Sequence, residues 1–181
     1  MYSGWGVKFL DADHDLREDL LMVNGHPDDR IENISRTLAF REPIFYFKAG
    51  PKFSVTPIGK SYPARGLAIG DFNDDGQFDA VVANNGEAPI LLMGKASSRR
   101  NWVGLSFANR PTGAVIRWSV GGIVHRKAIN SDASYLSAHD PRVILGLGQA
   151  ALADWVEIES RGRKQRLDKL AGGRYYAVAQ P

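Results

Sequence analysis

The 181-residue chain contains no cysteine, which excludes disulfides, thiolate metal sites and a cysteine nucleophile. It also has no apolar run of the ~18 residues that a membrane-spanning helix needs. The first residues lack a basic stretch followed by an apolar run, so no secretory signal is expected within the chain. Hydrophobic residues make up 44% of the sequence, which favours a packed core over a disordered chain.

Net charge is also small, at +3, but its distribution is uneven. Residues 1–95 hold 10 Lys/Arg and 14 Asp/Glu, whereas residues 96–181 hold 13 and 6. This asymmetry predicts two units, at residues 1–97 and 98–181, with the boundary in the polar stretch 95–100. The basic charges are scattered, which favours a solvated surface over a nucleic-acid interface, so nucleic acid is not expected as a partner.

One segment of the chain repeats after 60 residues. Residues 6–24 align with residues 66–84, and each copy runs as a strand, an acidic loop and a second strand. A third strand follows, with Pro43 aligned to Pro89. The first copy carries an insertion of about 14 residues before that strand, in which Ile31, Ile34 and Leu38 predict a short amphipathic helix.

The acidic loop of the second copy, residues 71–79, is called the Asp71 loop. Oxygen-bearing side chains occupy its positions 1, 3, 5 and 9, and glycine occupies position 6. Calcium takes six to eight oxygen ligands, and a glycine permits the sharp bend that brings them together. An EF-hand would need a glutamate at position 12, where this chain has Val82. The predicted ligands are Asp71, Asn73, Asp75, the carbonyl of Gln77, and Asp79.

The matching loop of the first copy, residues 11–19, is called the Asp11 loop. It keeps the carboxylates but has Leu16 where the other loop has glycine. A left-handed backbone at such a residue costs roughly 1–2 kcal/mol, so weaker binding is expected. The predicted ligands of this second Ca²⁺ are Asp11, Asp13, Asp15, the carbonyl of Arg17, and Asp19. The alternative for both loops is a polar turn in which Asp caps backbone amides.

The second half of the chain is also predicted to be β. Alternating apolar residues and glycine turns indicate six or seven strands, expected to form a small antiparallel sandwich or barrel that folds without metal. These strands are residues 102–107, 115–120, 123–128, 143–147, 155–159, 164–167 and 174–179.

Residues 6–24 and 66–84 resemble the FG-GAP/VCBS type of β-propeller repeat, which carries a calcium loop between two strands. The second half resembles the ASPIC/UnbV domain that follows such repeats in cartilage acidic protein and its bacterial homologues. The stretches that carry this second resemblance are residues 113–115, 134–137, 140–142, 146–148 and 153–158. Residues 160–163 keep only the glycine of the family's Trp-Pro-Ser-Gly-like turn, as in a divergent member.

The resemblance implies an all-β chain made of a partial β-propeller, about two blades with calcium loops, followed by the small β domain. It also implies a secreted or cell-surface protein that mediates adhesion or interaction. Because propellers close with four to eight blades, further blades are expected upstream in a longer protein. Unpaired blade edges would then favour self-association of the isolated chain.

Two functions remain open from the sequence. The first is a non-catalytic, calcium-binding module with a protein or glycan partner. The second is a polysaccharide-active or polyanion-binding unit that uses the basic domain. Ser137, His139 and Asp140 lie too close in sequence to form a triad readily, and calcium would occupy the carboxylates that a glycan hydrolase needs. The chain is therefore not expected to be an enzyme.

Overall fold

The computed structural model describes residues 1–95, 101–109, 111–130 and 134–179, and this part of the chain is built of β-strands. Its only helical element is one 3₁₀ turn, Ile31–Asn33. The fourteen strands are β1 Gly4–Leu10, β2 Asp19–Asn24, β3 Glu42–Lys48, β4 Ser54–Tyr62, β5 Ala64–Gly70, β6 Asp79–Asn84, β7 Ile90–Leu92, β8 Asn101–Phe107, β9 Val115–Val120, β10 Ile123–Ala128, β11 Val143–Gly148, β12 Leu152–Ser160, β13 Arg163–Ala171 and β14 Arg174–Val178.

The N-terminal half forms two antiparallel sheets. The first sheet has the order β1-β2-β3-β4 and the second has the order β5-β6-β7, so neighbours in sequence are neighbours in each sheet. The two sheets share one apolar core, to which the first contributes residues such as Val23 and Ile44 and the second Leu67 and Val82, all of them 0% exposed.

The 60-residue repeat is confirmed in the strand pairing. Gly6 pairs with Val23 and Leu10 with Asp19 in the first sheet. In the second sheet, the residues that stand 60 positions later make the same pairs, and both ladders carry the same irregularity near their start. The third strands differ from the sequence alignment by one position. Met22 pairs with Phe45 whereas Val82 pairs with Ile90, so Pro43 corresponds to Ala88 rather than to Pro89.

The prediction of an amphipathic helix in the insertion is wrong. The chain makes only the 3₁₀ turn there, and Ile34 is 78% exposed. Without a core surface to cover, a short helix gains too little from burial to form.

The C-terminal half forms a third sheet, β10-β9-β12-β13, and a fourth sheet, β11-β8-β14. Both contribute to one core, which includes Ile116 and Val156 from the third sheet and Leu105 and Leu145 from the fourth. This is a sandwich, and neither sheet closes, so the barrel alternative is wrong. The purely antiparallel expectation is also wrong, because β14 pairs with β8 in parallel. The chain crosses from the third sheet to the fourth between β13 and β14, and β14 then runs in the same direction as β8.

The two halves are in contact through the segment 134–140. Ser134 Oγ accepts a hydrogen bond from the Val7 amide at 2.7 Å, on the free edge of β1. On the free edge of β5, Ile69 donates its amide to His139 Nδ1 at 3.1 Å and accepts the Asp140 amide at 2.8 Å. These hydrogen bonds occupy part of the outer edges of β1 and β5, and the opposite outer strands of the two sheets are β4 and β7. Whether an edge pairs with another chain, as the predicted self-association requires, stays a prediction.

The predicted domain boundary at residues 97 and 98 lies outside the described residues. Among the residues that are described, no helix is both long enough and apolar enough to span a membrane.

Candidate metal-binding loops

Both acidic loops fold around the carboxylate at their first position. In the Asp71 loop, Oδ1 of Asp71 accepts the amide of Asp75 at 3.1 Å and Oδ2 accepts that of Gly76 at 2.8 Å. Asp75 Oδ1 in turn accepts the Gln77 amide at 2.8 Å. Short side chains that accept nearby amides stabilise such a turn locally.

The Asp11 loop repeats this scheme at each equivalent position. Asp11 accepts the amides of Asp15 and Leu16 at 2.8 and 2.9 Å, and Asp15 accepts the Arg17 amide at 2.9 Å. The two loops therefore have the same hydrogen-bonded conformation. In both loops Asp side chains cap backbone amides, so these bonds are compatible with a calcium loop and with a polar turn.

The bend at position 6 is left-handed in both loops. Gly76 has φ 80° and Leu16 has φ 70°, with His14 and Asp74 also left-handed at position 4. Leu16 thus adopts the glycine conformation despite its side chain, which packs against the C-terminal core. That burial offsets the backbone strain expected for a non-glycine residue.

Three carboxylates of the Asp11 loop converge. One oxygen from each of Asp11, Asp13 and Asp15 lies within 4.8 Å of the others. Burial raises the pKa of Asp11 to about 6, and the charges of Asp15 and Asp13 add to this, although the Leu16 and Asp15 amides act in the opposite direction. Crowded, partly buried carboxylates of this kind suit a hard cation, which would relieve their mutual repulsion.

A pH dependence follows for the protein without a bound cation. Because the folded state holds the Asp11 proton more tightly than the unfolded state does, the stabilising contribution is present at low pH. It is lost as pH rises from about 4 through about 6. Urea unfolding in a chelator across this range should show a fall in stability that the Asp11→Asn variant lacks. Parallel pH profiles for the two proteins would contradict it.

The last carboxylate of each loop closes the loop onto its own sheet. Asp19 accepts the amides of Ala12 at 3.3 Å and Ala49 at 2.7 Å. Asp79 likewise accepts the amides of Phe72 at 2.8 Å and Gly94 at 2.7 Å. Both carboxylates are buried, and Asp19 is not part of the converging cluster. Their ligand role stays a prediction, whereas their role in closing the loop is visible.

Two side chains of β3 also reach the Asp11 loop. Tyr46 donates its hydroxyl to Asp19 Oδ2 at 2.6 Å, and burial together with this carboxylate raises the tyrosine pKa. Lys48 Nζ lies 2.6 Å from Asp13 Oδ2. In the second sheet, the position equivalent to Lys48 is Met93 by strand register. An ammonium group therefore already neutralises part of the charge at the Asp11 loop.

The fourth sheet lies directly against the Asp71 loop. Tyr175 donates its hydroxyl to Asp71 Oδ2 at 2.6 Å, and burial and this carboxylate raise the tyrosine pKa. The Trp102 indole lies over Gly76, where a Cβ atom would overlap the ring. Only glycine fits both the left-handed backbone and this contact.

Arg142 joins the same loop to the segment that covers β5. Its guanidinium donates to the Asp71 carbonyl and to the carboxylates of Asp74 and Asp140. Burial would raise the pKa of Asp140, but the hydrogen bonds from Arg142 outweigh it and hold that pKa below its usual value.

His14 links the two loops to one another. It is 1% exposed, and its Nε2 lies 2.9 Å from the Gly76 carbonyl and 3.3 Å from Gln77 Nε2. The backbone carbonyl of His14 accepts the Gly148 amide at 3.0 Å. The loops and the C-terminal sandwich therefore form one contiguous interface.

The long-range contacts were absent from the sequence interpretation. Spacing identified the loop carboxylates, because they are local, but gave no sign of Trp102, Arg142, Tyr175 or Lys48. These residues arrive from distant strands, and only the assembled sheets bring them together. Their aromatic and cationic character was the one available signal, and it is common to many core and surface residues.

The family model described as ASPIC and UnbV matches residues 107–181. This confirms the resemblance of the second half, and the match begins at the last residue of β8. No curated protein matches the chain. The FG-GAP/VCBS resemblance of the first half stays a prediction.

Proposed function

We propose that this chain is a non-catalytic, calcium-binding interaction module. The observation that carries the proposal is the convergence of the Asp11, Asp13 and Asp15 carboxylates in a loop whose hydrogen bonds are repeated in the Asp71 loop. Oxygen-only donor sets on tight loops are the ligands that Ca²⁺ prefers. Two sites are proposed, with the ligands predicted above, and the Asp71 loop is the stronger.

We further propose that the first and second sheets are two blades of a partial β-propeller of the FG-GAP/VCBS type. The meander order of both sheets and their packing through one face support this assignment. The module would then act in a secreted or cell-surface protein of the cartilage acidic protein-like family and bind a protein or glycan.

Hydrogen bonding of the candidate triad residues supports a role without catalysis. Ser137 donates to the Tyr135 carbonyl at 2.8 Å, His139 Nδ1 accepts the Ile69 amide, and Asp140 binds Arg142. Each residue faces a separate partner, whereas a triad needs a nucleophile, a base and an orienting carboxylate in series.

Ion pairing on the third sheet weighs against the alternative, a polyanion-binding or polysaccharide-active unit. Arg117 lies 2.8 Å from Glu159, Lys164 lies 3.2 Å from Glu157, and Arg166 lies 2.9 Å from Asp168. Neighbouring carboxylates thus offset part of the positive potential that a polyanion would need on this sheet. Calorimetry with sulfated and acidic glycans tests this alternative directly, since heat of binding would favour it.

Calcium is expected to raise the melting temperature of the full chain, and a chelator to reverse the rise. Extracellular modules commonly bind Ca²⁺ at ~10⁻⁴–10⁻³ M, and a tenfold excess over such a constant stabilises the fold by about 1.4 kcal/mol per site. Isothermal calorimetry should give up to two sites, and Mg²⁺ at equal concentration serves as the control cation.

Variants separate the two loops. Asp75→Ala should remove more of the calcium response than Asp15→Ala, because the Asp71 loop keeps glycine at its bend. A melting temperature that ignores both millimolar calcium and chelator would overturn the calcium assignment, and an equal loss in both variants would overturn the ranking.

A further inference from the structure

A cavity lies where the two halves of the chain meet. The ends of β1 and β5 line it on one side, and the end of β10 and the start of β11 line it on the other. Its volume is about 90 Å³, and a water molecule needs roughly 10–15 Å³ on this measure. The cavity therefore has room for several water molecules or for one small organic molecule.

Both hydrophobic cores contribute to the wall of this cavity. Leu10 and Ile69 belong to the N-terminal core, Ile129 and Val143 belong to the C-terminal core, and each is between 5% and 7% exposed. Water finds no hydrogen-bond partner on such side chains, whereas an apolar group that enters the cavity is removed from water. The wall therefore favours a ligand with an apolar body.

The two carboxylates that line the cavity are already hydrogen-bonded by the protein. Asp71 accepts two amides of its own loop and the Tyr175 hydroxyl. Asp140 accepts the backbone amide and the guanidinium of Arg142. An organic cation in this cavity would have to compete with these donors for the same oxygens, so the carboxylates do not favour one.

The net charge of the lining is positive. Among the described residues, the charged groups are three cations and two carboxylates, namely Lys8, Lys127, Arg142, Asp71 and Asp140. His139 is neutral, because its Nδ1 accepts the Ile69 amide, and the balance is therefore 3 − 2 = +1. Lys127 Nζ lies 3.8 Å from the exposed carboxylate of Glu18. A long, solvent-exposed ion pair of this kind contributes little, so Lys127 can exchange Glu18 for an anion in the cavity.

We propose that this cavity is a binding site for a small organic monoanion with an apolar body, an aliphatic or aromatic carboxylate. The apolar part packs between the two cores, and the carboxylate pairs with Lys127. One negative charge brings the lining to neutrality, which is why a monoanion fits better than a neutral molecule or a cation. The proposal does not depend on a bound metal ion and goes beyond the calcium-binding function proposed above.

Octanoate tests the proposal, with octanamide and acetate as matched probes. Octanamide keeps the apolar body without the charge, and acetate keeps the charge without the body. In amide NMR spectra of the full chain in a chelator, octanoate should give saturable shifts at lining residues of both halves, such as Ile69 and Ile129. Its dissociation constant should be about tenfold lower than that of octanamide. Acetate should give no saturable shift at the same concentrations.

Variants identify the charged partner of the ligand. Lys127→Gln should raise the dissociation constant of octanoate about fivefold and leave that of octanamide unchanged. Lys127→Arg keeps the positive charge and should bind octanoate as the unmodified chain does. Lys60→Gln is the matched control, because Lys60 is exposed on β4 and does not line the cavity. This variant should leave octanoate binding unchanged.

Equal binding of octanoate and octanamide would overturn the proposal, because the charge of the ligand would then play no part. Shifts confined to the exposed apolar residues of the first sheet, such as Val7 and Val55, would overturn it by placing the ligand on that surface. The absence of saturable shifts would show that the cavity holds only water. Equal losses of affinity in Lys127→Gln and Lys60→Gln would reduce the effect to a general attraction between the anion and a basic chain.

Discussion

Replacing Gly76 with alanine is expected to destabilise the protein by about 3 kcal/mol. The backbone there has φ 80°, and the new Cβ atom would overlap the Trp102 indole. Trp102 is 7% exposed and packs edge-on against Tyr175 at 5.1 Å between ring centroids, so it has little room to withdraw. Urea unfolding in a chelator measures this effect without any contribution from a bound cation.

Gly86→Ala is the matched control for this experiment. Gly86 has φ 73°, but no atom lies within 4 Å of the position that a Cβ atom would take there. This variant isolates the backbone strain and should lose only about 1 kcal/mol. Equal losses in the two variants would show that the Trp102 contact does not hold the C-terminal half on the Asp71 loop.

Short-range sequence patterns predicted most of the strands. Alternating apolar residues between glycine turns identified the strands of the C-terminal half, and β10 has the predicted bounds. Gly50 also lies in a hairpin turn between two strands, since β3 pairs with β4 across it. In these segments side-chain alternation and turn chemistry agree, so short-range information is sufficient.

The pairing of strands that are distant in sequence could not be predicted in the same way. Nothing in residues 174–178 distinguishes a strand that pairs in parallel with β8 from one that closes a hairpin with β13. In the insertion, by contrast, a local pattern misled the prediction, because Ile31 and Ile34 have helical spacing but the 3₁₀ turn there has no buried residue and Ile34 is 78% exposed. The candidate site divides in the same way. Its carboxylates are close in sequence and were predictable, whereas Tyr175 reaches Asp71 only through the parallel pairing of β14.

Asp71→Ala is expected to destabilise the protein by about 3 kcal/mol even in a chelator. The Asp71 carboxylate is 1% exposed and accepts the amides of Asp75 and Gly76 as well as the Tyr175 hydroxyl. Its removal leaves three donors without their acceptor in a buried interface. The calcium response of this loop should disappear in the same variant, which differential scanning calorimetry with and without Ca²⁺ would record.

Tyr175→Phe separates the structural role of the Asp71 carboxylate from its proposed role as a calcium ligand. The variant removes one hydrogen bond and keeps the loop amides, so it should lose about 1 kcal/mol and retain the calcium response. Asp75→Ala should behave in the opposite way, because Asp75 is exposed and its loss removes a proposed ligand at little structural cost. If Asp71→Ala unfolded no more readily than Asp75→Ala in chelator, the Asp71 carboxylate would not be the group that joins the loop to the sandwich. A calcium response retained in Asp71→Ala would place the cation elsewhere.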